Sequence, residues 1–179
     1  MRVSYLIFIA SILITSSCTT KKSNKDSHGQ DNTDQKESKL ILAKDVHSYA
    51  NIEDIRTKHL HLELDVNFEN KKIYGIARHE MSDHNVNQAI FDIKGLEIIK
   101  ITTGIKNENN ADFTIGEYSE QMGRALNVAI NNDTKFINIY YQTTEKTEAL
   151  DWLAPEQTAG KKHPYLYTQG QAILTRSWI

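Results

Sequence analysis

Between residues 60 and 68 the apolar side chains Leu60, Leu62, Leu64, Val66 and Phe68 alternate with His61, Glu63, Asp65 and Asn67. A period of two suits an extended chain with one buried and one wet face, and does not suit a helix, whose apolar stripe recurs every three or four residues. The polar run Glu69-Asn70-Lys71-Lys72 then supplies a turn, and residues 73–81 return as a second strand at hairpin spacing. Further strands are expected at 89–93, 96–101, 112–118, 124–130 and 135–141. Asparagine-rich breaks at 107–110 and 131–133 separate them, because Asn and Asp bond their own backbone and tolerate left-handed geometry. With no amphipathic helix between the strands, the expected fold is all-β: a saddle-like antiparallel β-sandwich.

The ends of the chain constrain its setting. Arg2 precedes an apolar run from Tyr5 to Ile14, and Thr15-Ser16-Ser17 lead into Cys18. Charge, length and small-residue exit together describe a signal peptide over residues 1–17, and the run is short of the ~20 residues that span a bilayer. Cys18 is the one cysteine, so no internal disulfide can form. Its placement resembles a bacterial lipobox, with Thr15 where leucine is usual, and makes Cys18 the expected site of lipid attachment. The open alternative is cleavage after Ser17 and secretion. Localisation is then a bacterial cell envelope, as a lipid-anchored membrane protein, or the exterior.

Residues 19–39 contain no aliphatic or aromatic side chain and cannot bury enough apolar surface to offset chain entropy. Residues 18–48 are read as a flexible, disordered tether and 49–179 as one β-domain, with a weak helical turn possible before Arg56. A balance of 21 basic and 23 acidic residues, net charge −2, gives no strongly basic field, so nucleic acid is not an expected partner.

Histidines offer two apparent metal sites. His79-Glu80-Met81-Ser82-Asp83-His84 mimics a zinc helix, but its histidines lie five apart, which rotates them by about 140° on a helix and to opposite faces on a strand. They are read as polar strand-end residues in solvent. His59 and His61 share a strand face yet lack further ligands. No metal site is assigned.

Tyr165, Tyr167, Gln169 and Gln171 occupy odd positions of an extended segment and would share one face. A glutamine amide both donates and accepts, so neighbouring glutamines can hold a peptide's ammonium and its adjacent carbonyl together. Trp152, Pro155 and Pro164 are read as packing and stiffening residues. Arg176 is read as a surface arginine, or as a partner for an acid elsewhere.

Residues 150–172, which run Leu-Asp-Trp-Leu-Ala-Pro-Glu-Gln through Tyr-Leu-Tyr-Thr-Gln-Gly-Gln-Ala, closely resemble the end of the N-terminal β-domain of the zinc aminopeptidases related to leukotriene hydrolase and aminopeptidase N. Arg56-Thr57-Lys58-His59-Leu60-His61-Leu62 resembles that domain's first strand. The resemblance implies substrate binding by Gln169, Gln171 and Ala172, with Gln171 the principal contact at the substrate's amino end. It departs at Gly170, where the leukotriene hydrolase type carries cysteine.

The resemblance also implies a peptide substrate and a zinc cofactor held by a catalytic domain. His-Glu-x-x-His is absent from this sequence. The chain is therefore expected to be truncated before that domain and inactive alone. The alternative is a non-enzymatic β-sandwich lipoprotein acting as a binding or scaffold module.

Overall fold

The computed structural model describes residues 45–179, and the expected signal peptide, Cys18 and most of the expected tether lie outside the described residues. Ten strands are present among the described residues: β1 (Thr57–Asn67), β2 (Lys72–Met81), β3 (Gln88–Ile93), β4 (Leu96–Thr103), β5 (Asn109–Asn110), β6 (Phe113–Ile115), β7 (Arg124–Ala129), β8 (Phe136–Thr143), β9 (Leu150–Leu153) and β10 (Tyr165–Thr168). They form a five-stranded sheet in the order β1-β2-β8-β4-β5, a three-stranded sheet β3-β7-β6 and a β9-β10 pair. Every pairing is antiparallel. Among the described residues no helix is long and apolar enough to cross a membrane.

The two larger sheets enclose one core, which makes the domain the antiparallel sandwich expected from the alternation. The five-stranded sheet contributes Ala77, Met81, Ile101, Ile137, Ile139 and Tyr141; the three-stranded sheet contributes Ala89, Ile93, Leu126 and Val128. Burial of such side chains is the main favourable term, at roughly 25 cal/mol per Å² of apolar surface. Ile55, just ahead of β1, enters the same core through a single helical turn in which its N–H bonds the Asn51 carbonyl at 3.1 Å. Ser48 and His47, at the end of the expected tether, also touch the β-domain: the Ser48 hydroxyl donates to Asp92 at 2.6 Å, and the His47 carbonyl accepts from Arg176 at 3.0 Å.

Strand β4 shows how the chain reconciles a sequence that is not cleanly alternating. Ile98, Ile99 and Ile101 cannot all face inward on a regular strand, and the register with β8 shifts between Ile98 and Lys100. The bulge places Ile99 outside, 58% exposed, and returns Ile101 to the core at 1%. The first asparagine break also differs from expectation. Asn109 and Asn110 pair with Thr103 and Thr102 as a short edge strand instead of ending in a free turn.

Gly75 in β2 faces Tyr141 in β8 across the core side of the sheet. A Cβ on Gly75 would lie 2.4 Å from the Tyr141 ring, so the ring occupies the space that any other residue would fill. Tyr141 is 1% exposed, burial pushes its phenol pKa up to about 12, and its hydroxyl donates to the Trp178 carbonyl at 2.7 Å. Gly75→Ala is therefore expected to overpack this contact and destabilise the domain by about 1–3 kcal/mol. Urea unfolding would register it as a lower midpoint, and an unaltered midpoint would mean the ring moves freely.

Candidate functional site

The glutamine segment is carried by the β9-β10 hairpin, where Tyr165 pairs with Leu153 and Thr168 with Leu150. Tyr165 and Tyr167 share one face of β10, as expected, and are 57% and 45% exposed. Beyond them the geometry departs from expectation. Strand β10 stops at Thr168, so Gln169 and Gln171 do not lie on a common strand face but on the turn that follows. The reason is local: Leu150 is the last ladder partner, and the Gln169 N–H makes one more bond, to the Ala149 carbonyl at 3.1 Å. Ala149 then turns away and gives its own N–H to the Ser177 hydroxyl at 3.2 Å.

Within the turn the two amides have different duties. The Gln169 side-chain Oε1 accepts the Gln171 backbone N–H at 3.1 Å, and its Nε2 lies 3.4 Å from the Tyr167 hydroxyl. Gln169 thus braces the turn from inside. The Gln171 side chain has no hydrogen-bond partner among the described residues and is exposed, as is Ala172. The Leu174 N–H closes the turn on the Gly170 carbonyl at 2.9 Å. A Cβ at Gly170 would meet the Thr175 hydroxyl oxygen at 2.2 Å, so the absence of a side chain at 170 is matched to Thr175. The peptide between Gln171 and Ala172 is cis.

Arg176 is not the surface arginine of the sequence reading, nor does it await an acid from elsewhere. It follows the turn within the short helical segment Leu174–Ser177, its side chain is 10% exposed, and its guanidinium lies 3.4 Å from the Asp92 carboxylate of β3. Its other donors reach the carbonyls of Ile173, Met122 and His47 at 3.1, 2.9 and 3.0 Å. Asp92 in turn accepts the Ser48 hydroxyl and the Tyr49 N–H at 2.6 and 2.8 Å. The sequence did hold a signal for this: Asp92 is the one charge in the run Ala89-Ile90-Phe91-Asp92-Ile93. A buried carboxylate needs a cation, and the matching cation is 84 positions away, beyond the reach of local pattern.

The residues present do not fit the zinc that the family resemblance implies. No group of three or more His, Cys, Asp and Glu side chains converges among the described residues. His79 is not in solvent at a strand end. It lies on the core face of β2, Nδ1 sits 3.0 Å from the Thr57 hydroxyl, and the ring packs against Phe91 with centroids 4.7 Å apart. His84 lies in the following loop with Nδ1 and Nε2 against the carbonyls of Ser82 and Asn131 at 2.8 and 3.1 Å. His59 and His61 are exposed on β1, and His61 lies 3.5 Å from Glu63.

The buried His79 has a consequence in solution. Desolvation lowers its pKa from 6.5 to about 4, so the folded state resists the proton that the unfolded state takes up first. Its contribution to stability is complete above pH 6.5 and is lost as pH falls from 6.5 towards 4, a change of about 3 kcal/mol. Denaturation across that window should show the loss in the wild type and a flatter profile in His79→Met. Equal slopes in the two proteins would show that His79 stays solvated.

Comparison with known proteins places this geometry. No family model matches the chain. Leucine aminopeptidase 2 of Phaeosphaeria nodorum is 31% identical over 142 residues, which cover 75% of this chain and 22% of that protein. Leukotriene A-4 hydrolase of Xenopus laevis is 34% identical over 143 residues, covering 75% and 23%. The structure of yeast LTA4 hydrolase in complex with bestatin superposes with a TM-score of 0.69 at 29% identity, over 79% of this chain and 23% of that one. The chain thus spans less than a quarter of the length of these relatives. Sequence and fold agree, and the chain belongs, as an N-terminal β-domain, to the family of leukotriene A-4 hydrolase and leucine aminopeptidase 2.

Proposed function

We propose that this domain forms one wall of the substrate site of a zinc aminopeptidase, with the zinc and the groups that act on the peptide bond supplied by sequence other than the described residues. The observation that carries the reading is the Gln171 side-chain amide, exposed and without a hydrogen-bond partner among the described residues, on a turn braced by Gln169 and Arg176. A neutral amide suits a peptide's amino end: its carbonyl accepts from the ammonium while its NH₂ donates to the neighbouring carbonyl. Ala172, next along the turn, adds no bulk. Names of aminopeptidases among the relatives support peptide substrates.

In an enzyme joining this domain to a catalytic domain, Gln171→Ala would remove a hydrogen bond to a charged group, about 1.5–3 kcal/mol. The expected result is a roughly 10- to 100-fold lower kcat/KM on an aminoacyl anilide. Gln169→Ala should act more weakly, by loosening the turn. The 179-residue chain alone should give no turnover. Wild-type kcat/KM in Gln171→Ala, or zinc-dependent turnover by the isolated chain, would reject the assignment.

Envelope attachment through Cys18 belongs to the same proposal and rests on the sequence pattern of residues 1–18. Metabolic labelling with palmitate should mark the wild type and not Cys18→Ser. Equal labelling of the two would remove the lipid anchor and leave secretion.

A further inference from the structure

Apart from the glutamine turn, to which Lys94 is joined by its N–H bond to the Arg176 carbonyl, four cationic residues line one cavity of about 580 Å³: Lys72 at the start of β2, Lys94 after β3, Arg124 at the start of β7 and Lys146 between β8 and β9. Glu145 is the one carboxylate in the lining, and Tyr118 forms an aromatic part of the wall. A volume of this size is in the range that holds a small organic ligand.

Two of the basic side chains, Lys94 and Arg124, are held by contacts to the domain. The Lys94 side chain is 9% exposed; its ammonium donates to the Glu120 carbonyl at 2.8 Å and lies 2.8 and 3.0 Å from the two Glu148 carboxylate oxygens. The Glu148 bond also raises its pKa, so it stays charged. The Arg124 guanidinium lies over the Tyr118 ring at 5.7 Å and donates to the Gly116 carbonyl at 3.0 Å. Lys146 sits in a turn clamped to Gly95. The Gly95 carbonyl accepts the Thr144 N–H and hydroxyl at 3.0 and 2.7 Å and the Thr147 hydroxyl at 3.2 Å. The contact is close enough that a Cβ on Gly95, whose φ is +71°, would lie 2.6 Å from the Lys146 carbonyl oxygen.

Glu148 pairs with Lys94, Glu145 lies in the lining and the Glu120 carboxylate stands at Tyr118 and near Lys94, so three carboxylates offset three of the four charges and one positive charge is left. Convergent like charges repel unless an anion joins them. Ammonium groups and a planar guanidinium together are the donors of choice for phosphate oxygens. Leu96, with Tyr118, offers apolar surface to the body of such a ligand.

We propose that this cavity binds a phosphate-bearing small molecule, its phosphate between Arg124, Lys146 and Lys72 and its organic part against Tyr118. The chemistry is shared by soluble phosphomonoesters and by the headgroup of an acidic lipid. NMR titration of the chain with inorganic pyrophosphate and with glycerol 3-phosphate should give saturable shifts at Tyr118, Arg124 and Lys146 amides that weaken with salt. Co-sedimentation with phosphatidic acid vesicles separates the lipid source from the soluble one.

Arg124→Gln with Lys146→Gln should weaken binding at least about tenfold. The single exposed substitution Lys146→Gln keeps the test open if the pair disturbs folding. Lys94 is left intact, since its removal would strand Glu148 and part of the Glu120 turn. Shifts that never saturate with either probe and absence of sedimentation, or affinity unaltered by Lys146→Gln and the double variant, would overturn the proposal.

Discussion

The pairing of Arg176 with Asp92 ties the glutamine turn to the sandwich. Withdrawing two charges from water is costly, and the cost is recovered only when each lone pair and N–H finds a partner. Here the partners come mostly from distant parts of the chain: the lead-in through His47 and Ser48, the β6–β7 connection through Met122, and β3 through Asp92. The Lys94 N–H also bonds the Arg176 carbonyl at 2.9 Å. Loss of either charge would leave the other buried, a penalty of about 3–5 kcal/mol, and would free the segment that holds Gln171.

Much of the sandwich was legible because alternation reports burial directly. In β2 the odd positions Ile73, Gly75, Ala77, His79 and Met81 are all buried, and read in phase they place His79 inside. Treating it as a polar strand end overrode its own pattern. Its chemistry permits the burial, since a neutral imidazole needs only the Thr57 hydroxyl on one nitrogen and can stack its apolar faces on Phe91. Asn138 is the counterpart on the other face of the same sheet. Fully buried, it donates to the Thr102 hydroxyl and the Gly104 carbonyl at 3.0 and 2.8 Å and accepts from Arg78 at 2.8 Å.

The limits of that legibility lie where partners end rather than where residues change. Tyr165, Tyr167, Gln169 and Gln171 keep a period of two, yet a ladder persists only while the neighbouring strand does. β9 is four residues long, so β10 is as well. Past Thr168 the backbone takes its bonds from the Gln169 side chain and the Gly170 carbonyl, and no periodicity encodes that exchange. The bulge at Ile99 is the opposite case: three isoleucines out of phase state that one must leave the core, though not which one.

Gly170 and Thr175 make the turn a matched pair rather than a glycine chosen for freedom. The backbone at 170 is not in the left-handed region; the demand is for space, because the Thr175 hydroxyl stands 2.2 Å from where a Cβ would begin. A cysteine there, as in the leukotriene hydrolase type that the segment resembles, requires residue 175 to rotate or shrink. Thr175 also accepts, through its carbonyl, the N–H groups of Trp178 and Ile179 at 3.1 Å. Its backbone is therefore fixed, and only its side chain can yield. The departure at 170 leaves the course of the turn intact, since the atoms that close it, the Gly170 carbonyl and the Leu174 N–H, belong to the backbone and are indifferent to the side chain between them.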